Sequence, residues 1–166
     1  MATAILAFFA FSWFGWAMEK PPRRWRLWLA LGLTAAVAMT AAGIIRAIDH
    51  WNDGTVFDAA TSRTFGIIVG VEFALAAVGA GVLTALGWRP FIPAWIAFIV
   101  GVHFFPLAAI LDLPVLYGVA GATTLVALAA IPVAQRSGLA VSAVIGAGMG
   151  AALLAGSLVF FATLVF

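Results

Sequence analysis

The 166-residue chain contains two histidines and six acidic residues, so few groups can move a proton or hold an ion. Two of them interrupt apolar runs: Glu72 in IVGVEFALAAV, which begins at Ile68, and His103 in IVGVHFFPLAAI, which begins at Ile99. A carboxyl and an imidazole in contact form a coupled unit whose proton can rest on either partner. Such a pair suits proton handling, ion binding or general acid–base chemistry. An ionisable side chain at the depth of a membrane span costs about 2.5–3.5 kcal/mol on insertion scales, so a partner, water or loss of charge must offset it. The shared IVGV carries no weight by itself. A composition this narrow yields such matches by chance, and an inverted duplication would pair the first apolar run with the fourth and the third with the sixth.

Other polar side chains at comparable depth are Thr40, Thr123 and Ser157, each able to bond the carbonyls of its own preceding turn. Pro106 leaves the Val102 carbonyl without its helical donor, one residue from His103. The one polar stretch of any length, RAIDHWNDGTVFDAATSR at 46–63, gathers Asp49, His50, Asp53 and Asp58. Counting from Asp49, the third position of a calcium loop is Trp51 and the twelfth is Ala60, so that pattern fails. His50 with neighbouring aspartates falls short of a converging zinc set. Asn52, Asp53 and Gly54 read as a turn, and Asp58 as the cap of the helix that follows. No metal and no cofactor is expected. The glycines of GAGMG lie within an apolar run with no strand before them, which excludes a phosphate loop. The lack of cysteine excludes disulfides and thiolate chemistry, and no lysine lies inside an apolar run to form a Schiff base.

The elements that must position Glu72 and His103 are set by composition. Hydrophobic residues make up 66% of the chain and charged ones 8%, with a mean hydropathy of +1.20. A soluble domain is about half apolar and a quarter charged, so the expected solvent is lipid. Six runs are long enough for a helix across a ~30 Å hydrocarbon core: about 2–18, 27–45, 64–86, 91–111, 114–134 and 139–165. They are continuously apolar rather than alternating, which argues against barrel strands. The expected fold is an all-α integral membrane protein, one domain over 1–166 forming a bundle of six transmembrane helices. The N-terminus has no basic residue before its apolar run, so it reads as a retained span rather than a signal peptide.

The connections orient the bundle. Lys20, Arg23, Arg24 and Arg26 lie in the first, Arg89 in the third and Arg136 in the fifth, which the positive-inside bias places in the cytoplasm. Asp49, Asp53, Asp58 and Asp112 then lie outside, with both termini (N-out and C-out). Trp13, Trp16, Trp25, Trp28, Trp88 and Trp95 fall toward the inner ends, where indoles favour the interface. Within the hairpin of spans three and four, Glu72 and His103 both stand ~20 Å above the connecting GWRP. Gly66 with Gly70, and Gly146 with Gly150, are GxxxG pairs suited to close packing inside the bundle or to a homodimer or partner membrane protein.

These features point to a multi-pass protein of a bacterium-like inner (plasma) membrane whose immediate partner is the lipid bilayer. No basic face exists to track nucleic acid despite a net charge of +2 and a pI of 9.9. The leading expectation is proton- or ion-linked transport or permeation of a small solute through the Glu72–His103 pair. The alternatives are an accessory subunit without a site of its own, and an embedded enzyme acting on a lipid or isoprenoid.

Overall fold

The computed structural model describes residues 1–52 and 57–163. Among them are six α-helices: α1 (Ala2–Ala17), α2 (Arg26–Asp49), α3 (Ala59–Ala85), α4 (Ile92–Ile110), α5 (Val115–Ser137) and α6 (Val141–Thr163). Single 3-10 turns, Arg23–Trp25 and Arg89–Phe91, lead into α2 and α4. The helices α2 to α6 are long and apolar enough to cross a membrane. α1 has 16 residues, or ~24 Å at 1.5 Å per residue.

The ends of the helices explain where they depart from the apolar runs. α3 begins at Ala59, ahead of the expected 64, because the Asp58 carboxylate accepts the Thr61 N–H at 2.7 Å and caps the first turn. α2 runs on to Asp49 and α5 to Ser137, since helical hydrogen bonding continues past the first charged residue. α3 stops where Gly87 takes a left-handed φ of 76°, with Trp88 N–H bonding the Leu83 carbonyl at 2.7 Å. α5 ends in the same way at Gly138, φ 63°. α4 does so at Asp112, φ 51°, a residue that pays for the left-handed conformation glycine adopts freely. Pro90 and Pro114 sit at helix starts, as does Pro93, whereas Pro106 and Pro132 lie inside α4 and α5.

α6 is the hub of the bundle. It packs most extensively on α1, then on α5, and also touches α2 and α4. Its buried positions Ile145, Met149, Leu153, Ser157 and Phe160 recur at three- and four-residue intervals, as do Thr3, Leu6, Ala10, Trp13 and Ala17 of α1. Glycines mark the closest approaches. A Cβ on Gly146 would lie 2.5 Å from the Trp13 carbonyl oxygen, and one on Gly150 2.7 Å from the Phe14 ring. Gly43 meets the Ala4 backbone of α1 in the same way, and Gly101 of α4 meets Thr124 of α5. The order of these contacts makes sequential neighbours antiparallel, so the first, third and fifth connections share one end, here termed the basic end.

α3 is different. It packs on α4 and the turn between them, and none of its residues is buried. Phe65, Ile68, Glu72 and Gly79 line the face it turns to α4, while Gly66, Gly70 and Gly81 on the far side have nothing within reach of an added Cβ. The two GxxxG pairs therefore part company: Gly146 and Gly150 are filled by α1 of the same chain, and Gly66 and Gly70 are open.

Candidate functional site

The seam between α3 and α4 holds the two ionisable groups. One face of α4 repeats at four-residue intervals as Trp95, Ile99 and His103, and α3 lies along it. Near the basic end, Trp95 covers Gly79, where only a hydrogen leaves room for the indole, and its N–H donates to the Leu75 carbonyl at 3.0 Å. Trp95 is therefore a packing and hydrogen-bonding residue of the seam. Trp13 is likewise buried in the bundle, stacked on Trp16 with centroids 5.4 Å apart.

Two turns further along the seam, His103 Nε2 lies 3.4 Å from Glu72 Oε2, with the side chains only 12% and 14% exposed. The other ring nitrogen, Nδ1, is 2.6 Å from the Val100 carbonyl oxygen. A carbonyl only accepts, so Nδ1 carries a hydrogen and donates it. Nε2 then faces a carboxyl oxygen, and two bare lone pairs would repel. One proton between them removes the repulsion, either as imidazolium with carboxylate or as imidazole accepting from a carboxylic acid. Both arrangements leave the pair with no net charge. That is the condition under which it best tolerates an apolar seam.

The carbonyl that His103 bonds is not the one Pro106 frees. Pro106 frees the acceptor of Val102, but the imidazole folds back one turn onto Val100, where its ring also packs on Phe104 with centroids 4.3 Å apart. The supporting hydroxyls are not gathered at the pair. Thr40 bonds the Ala36 carbonyl at 2.8 Å, and Thr123 bonds those of Val119 and Ala120 at 2.7 and 3.2 Å, each within its own helix. Ser157 departs from that habit. It crosses to the Thr3 carbonyl of α1 at 2.9 Å, across the most extensive helix–helix packing in the bundle. Thr124, which no signal in the sequence singles out, is half-buried, and its hydroxyl oxygen is enclosed and unpartnered where Gly101 presses against it.

Among its described residues the polar connection assembles no ligand set. Asp49 ends α2, His50 Nδ1 lies 3.0 Å from the Arg46 carbonyl, and Asp58 caps α3; Asp53 lies outside the described residues. The Thr61 N–H, with the Thr61 hydroxyl beside it, holds the Asp58 carboxyl below its ordinary range. Among the described residues no three histidines or carboxylates converge as a metal site would require. Arg46 was invisible to sequence reasoning as a structural residue. Its guanidinium donates to the Phe161 carbonyl at 3.4 Å and lies 4.5 Å from the Phe161 ring centroid, placing a cation at the C-terminal end of α6.

Two pockets among the described residues lie away from Glu72 and His103. One, of about 260 Å³, lies among Phe14, Trp25, Trp28, Leu29 and Ala147. The other, of about 380 Å³, lies at the basic end where three connections converge. Compared with protein-family models, curated proteins and solved structures, the chain gives no significant match.

Proposed function

We propose that the chain is a six-span protein of the plasma (inner) membrane, with both termini outside and the basic end in the cytoplasm. Its function is proton- or ion-linked transport or permeation of a small solute through the Glu72–His103 pair. The observation that carries this reading is the 3.4 Å contact between the two side chains, with Nδ1 committed to Val100 so that the contact needs a proton. A group that gains or loses a proton there changes the charge of a seam with few other polar groups, which is what couples protonation to movement of a solute.

The pair lies between two helices only. A second copy of the chain, or a partner membrane helix, seated on Gly66 and Gly70 would supply the wall that α3 lacks. The test is proton uptake by the purified chain in liposomes, with Glu72→Gln and His103→Ala measured beside it. Both substitutions should abolish uptake; indistinguishable traces from all three proteins would overturn the transport reading.

A second reading, an assembly subunit with no site of its own, is favoured by the open small-residue face of α3. It predicts a stoichiometric membrane partner on purification and unchanged specific activity of that complex in Glu72→Gln.

A further inference from the structure

The cavity at the basic end is built from three separate connections: Trp16, Glu19 and Lys20 after α1, Arg89 and Pro90 before α4, and Ala140, Val141 and Ser142 at the start of α6. Its position follows from the antiparallel order of the helices, which brings all three connections to the end of the hub helix. At about 380 Å³ it lies within the range of pockets that hold small ligands, about 300–1,000 Å³.

Its chemistry is specific. α6 begins after Ala140, which has no side chain able to cap it, and among the described residues the first-turn N–H groups of Val141 and Ser142 make no backbone hydrogen bond. Ser142 is only 8% exposed, yet among the described residues its hydroxyl has no partner. Unlike the Thr124 hydroxyl, it is not sealed off, and it lines the cavity. Lys20 and Arg89 add two cations on the rim, neither of them paired among the described residues. A helix N-terminus, a free hydroxyl and two cations together present donors and positive charge to one small volume, the requirement for a phosphate group.

Two further features choose the source of that phosphate. The rest of the lining is apolar, from Trp16, Ile92, Pro93 and Val141. It sits at the end of a bundle of membrane-length helices, the depth at which phospholipid headgroups and indole rings meet. Glu19, on the same rim, opposes a bare anion but complements an ammonium group. We propose that this cavity binds the headgroup of a zwitterionic aminophospholipid. The phosphodiester lies on the α6 N-terminus, Ser142, Lys20 and Arg89, and the ammonium faces Glu19.

The test uses the full chain, purified in a maltoside detergent and mixed with equimolar dioleoyl phosphatidylethanolamine and phosphatidylglycerol, with bound lipid read by native mass spectrometry. Phosphatidylethanolamine should be retained preferentially. A Lys20→Gln, Arg89→Gln double variant should lower its retention about tenfold or more, as expected for lost charge-assisted hydrogen bonds. Ser142→Ala should lower retention by a smaller factor, and Glu19→Gln should abolish the preference between the two lipids while leaving both bound. If the double variant fails to fold, the Ser142→Ala and Glu19→Gln arms decide. Retention unchanged across the folded variants overturns the site. A preference for phosphatidylglycerol overturns the headgroup assignment. Displacement of the lipid by inorganic phosphate alone would make the ligand a soluble anion instead.

Discussion

α3 and α6 carry the same packing motif and meet opposite fates. In α6, Gly146 and Gly150 bring α1 so close that a single added carbon would strike the Trp13 carbonyl oxygen or the Phe14 ring. In α3, Gly66 and Gly70 open onto nothing among the described residues. The motif states that a helix can be approached closely; it does not state by what. The answer lies in topology, since α6 is surrounded by four helices and α3 leans on one. The division of labour follows. The hub holds the fold, and the outrigger brings Glu72 against His103 of α4.

The largest expected effect separates these two roles. Gly146→Leu should destabilise the bundle by about 3 kcal/mol or more, because the obstacle is backbone that cannot rotate away. Gly70→Leu in the monomer should change stability by less than about 0.5 kcal/mol. Unfolding in mixed micelles measures both. Equal losses would mean that the Gly66–Gly70 face is packed after all. Conversely, chemical crosslinking that detects a dimer in the unsubstituted chain and not in Gly70→Leu would show what covers it.

An intermediate effect probes how α3 is attached. Gly79→Leu should push the Trp95 indole out and lower hydrogen-exchange protection along α3 while leaving α1 and α6 protected. Trp95→Phe, which removes the N–H to Leu75 together with part of the ring that covers Gly79, should loosen the same helix by about 1 kcal/mol or more. Loss of protection in α6 from either substitution would contradict the picture of a separable outrigger.

Much of this arrangement was legible in the chain itself. Helical lengths, helix starts at proline and glycine turns follow from local chemistry, and the equal depth of Glu72 and His103 follows from counting residues to the turn between them. Helix rotation does not follow from counting. That Glu72 turns toward α4 depends on Phe65, Ile68, Glu72 and Gly79 falling on one face of a helix with no polar stripe to betray it. The carbonyl chosen by His103, the crossing of Ser157 to Thr3, and Arg46 at the end of α6 are long-range or rotamer choices. Apolar runs in which nearly every position is hydrophobic leave such choices undetermined until the helices are assembled. The cavity at the basic end was hidden for the same reason, because its walls come from three connections far apart in sequence.

The smallest effect concerns how the two helices begin. α6 starts uncapped and opens its first turn to a cavity, whereas α3 is closed off by Asp58. With the Asp58 carboxyl held below the ordinary aspartate value by Thr61, the folded state binds that proton more weakly than the unfolded chain does. The stabilisation is therefore complete above the unfolded value of about 3.9 and is lost as pH falls through the lower folded value. The Thr61 amide resonance, followed by NMR in micelles, should titrate with its midpoint below about 3.9, and Asp58→Asn should erase the titration while retaining most of the cap. A midpoint at or above the ordinary aspartate value would mean that the carboxylate does not hold the first turn of α3. The helix would then start nearer Thr64, the outer end of the outrigger would be released, and the Glu72–His103 contact would rest on Trp95 and Gly79 alone.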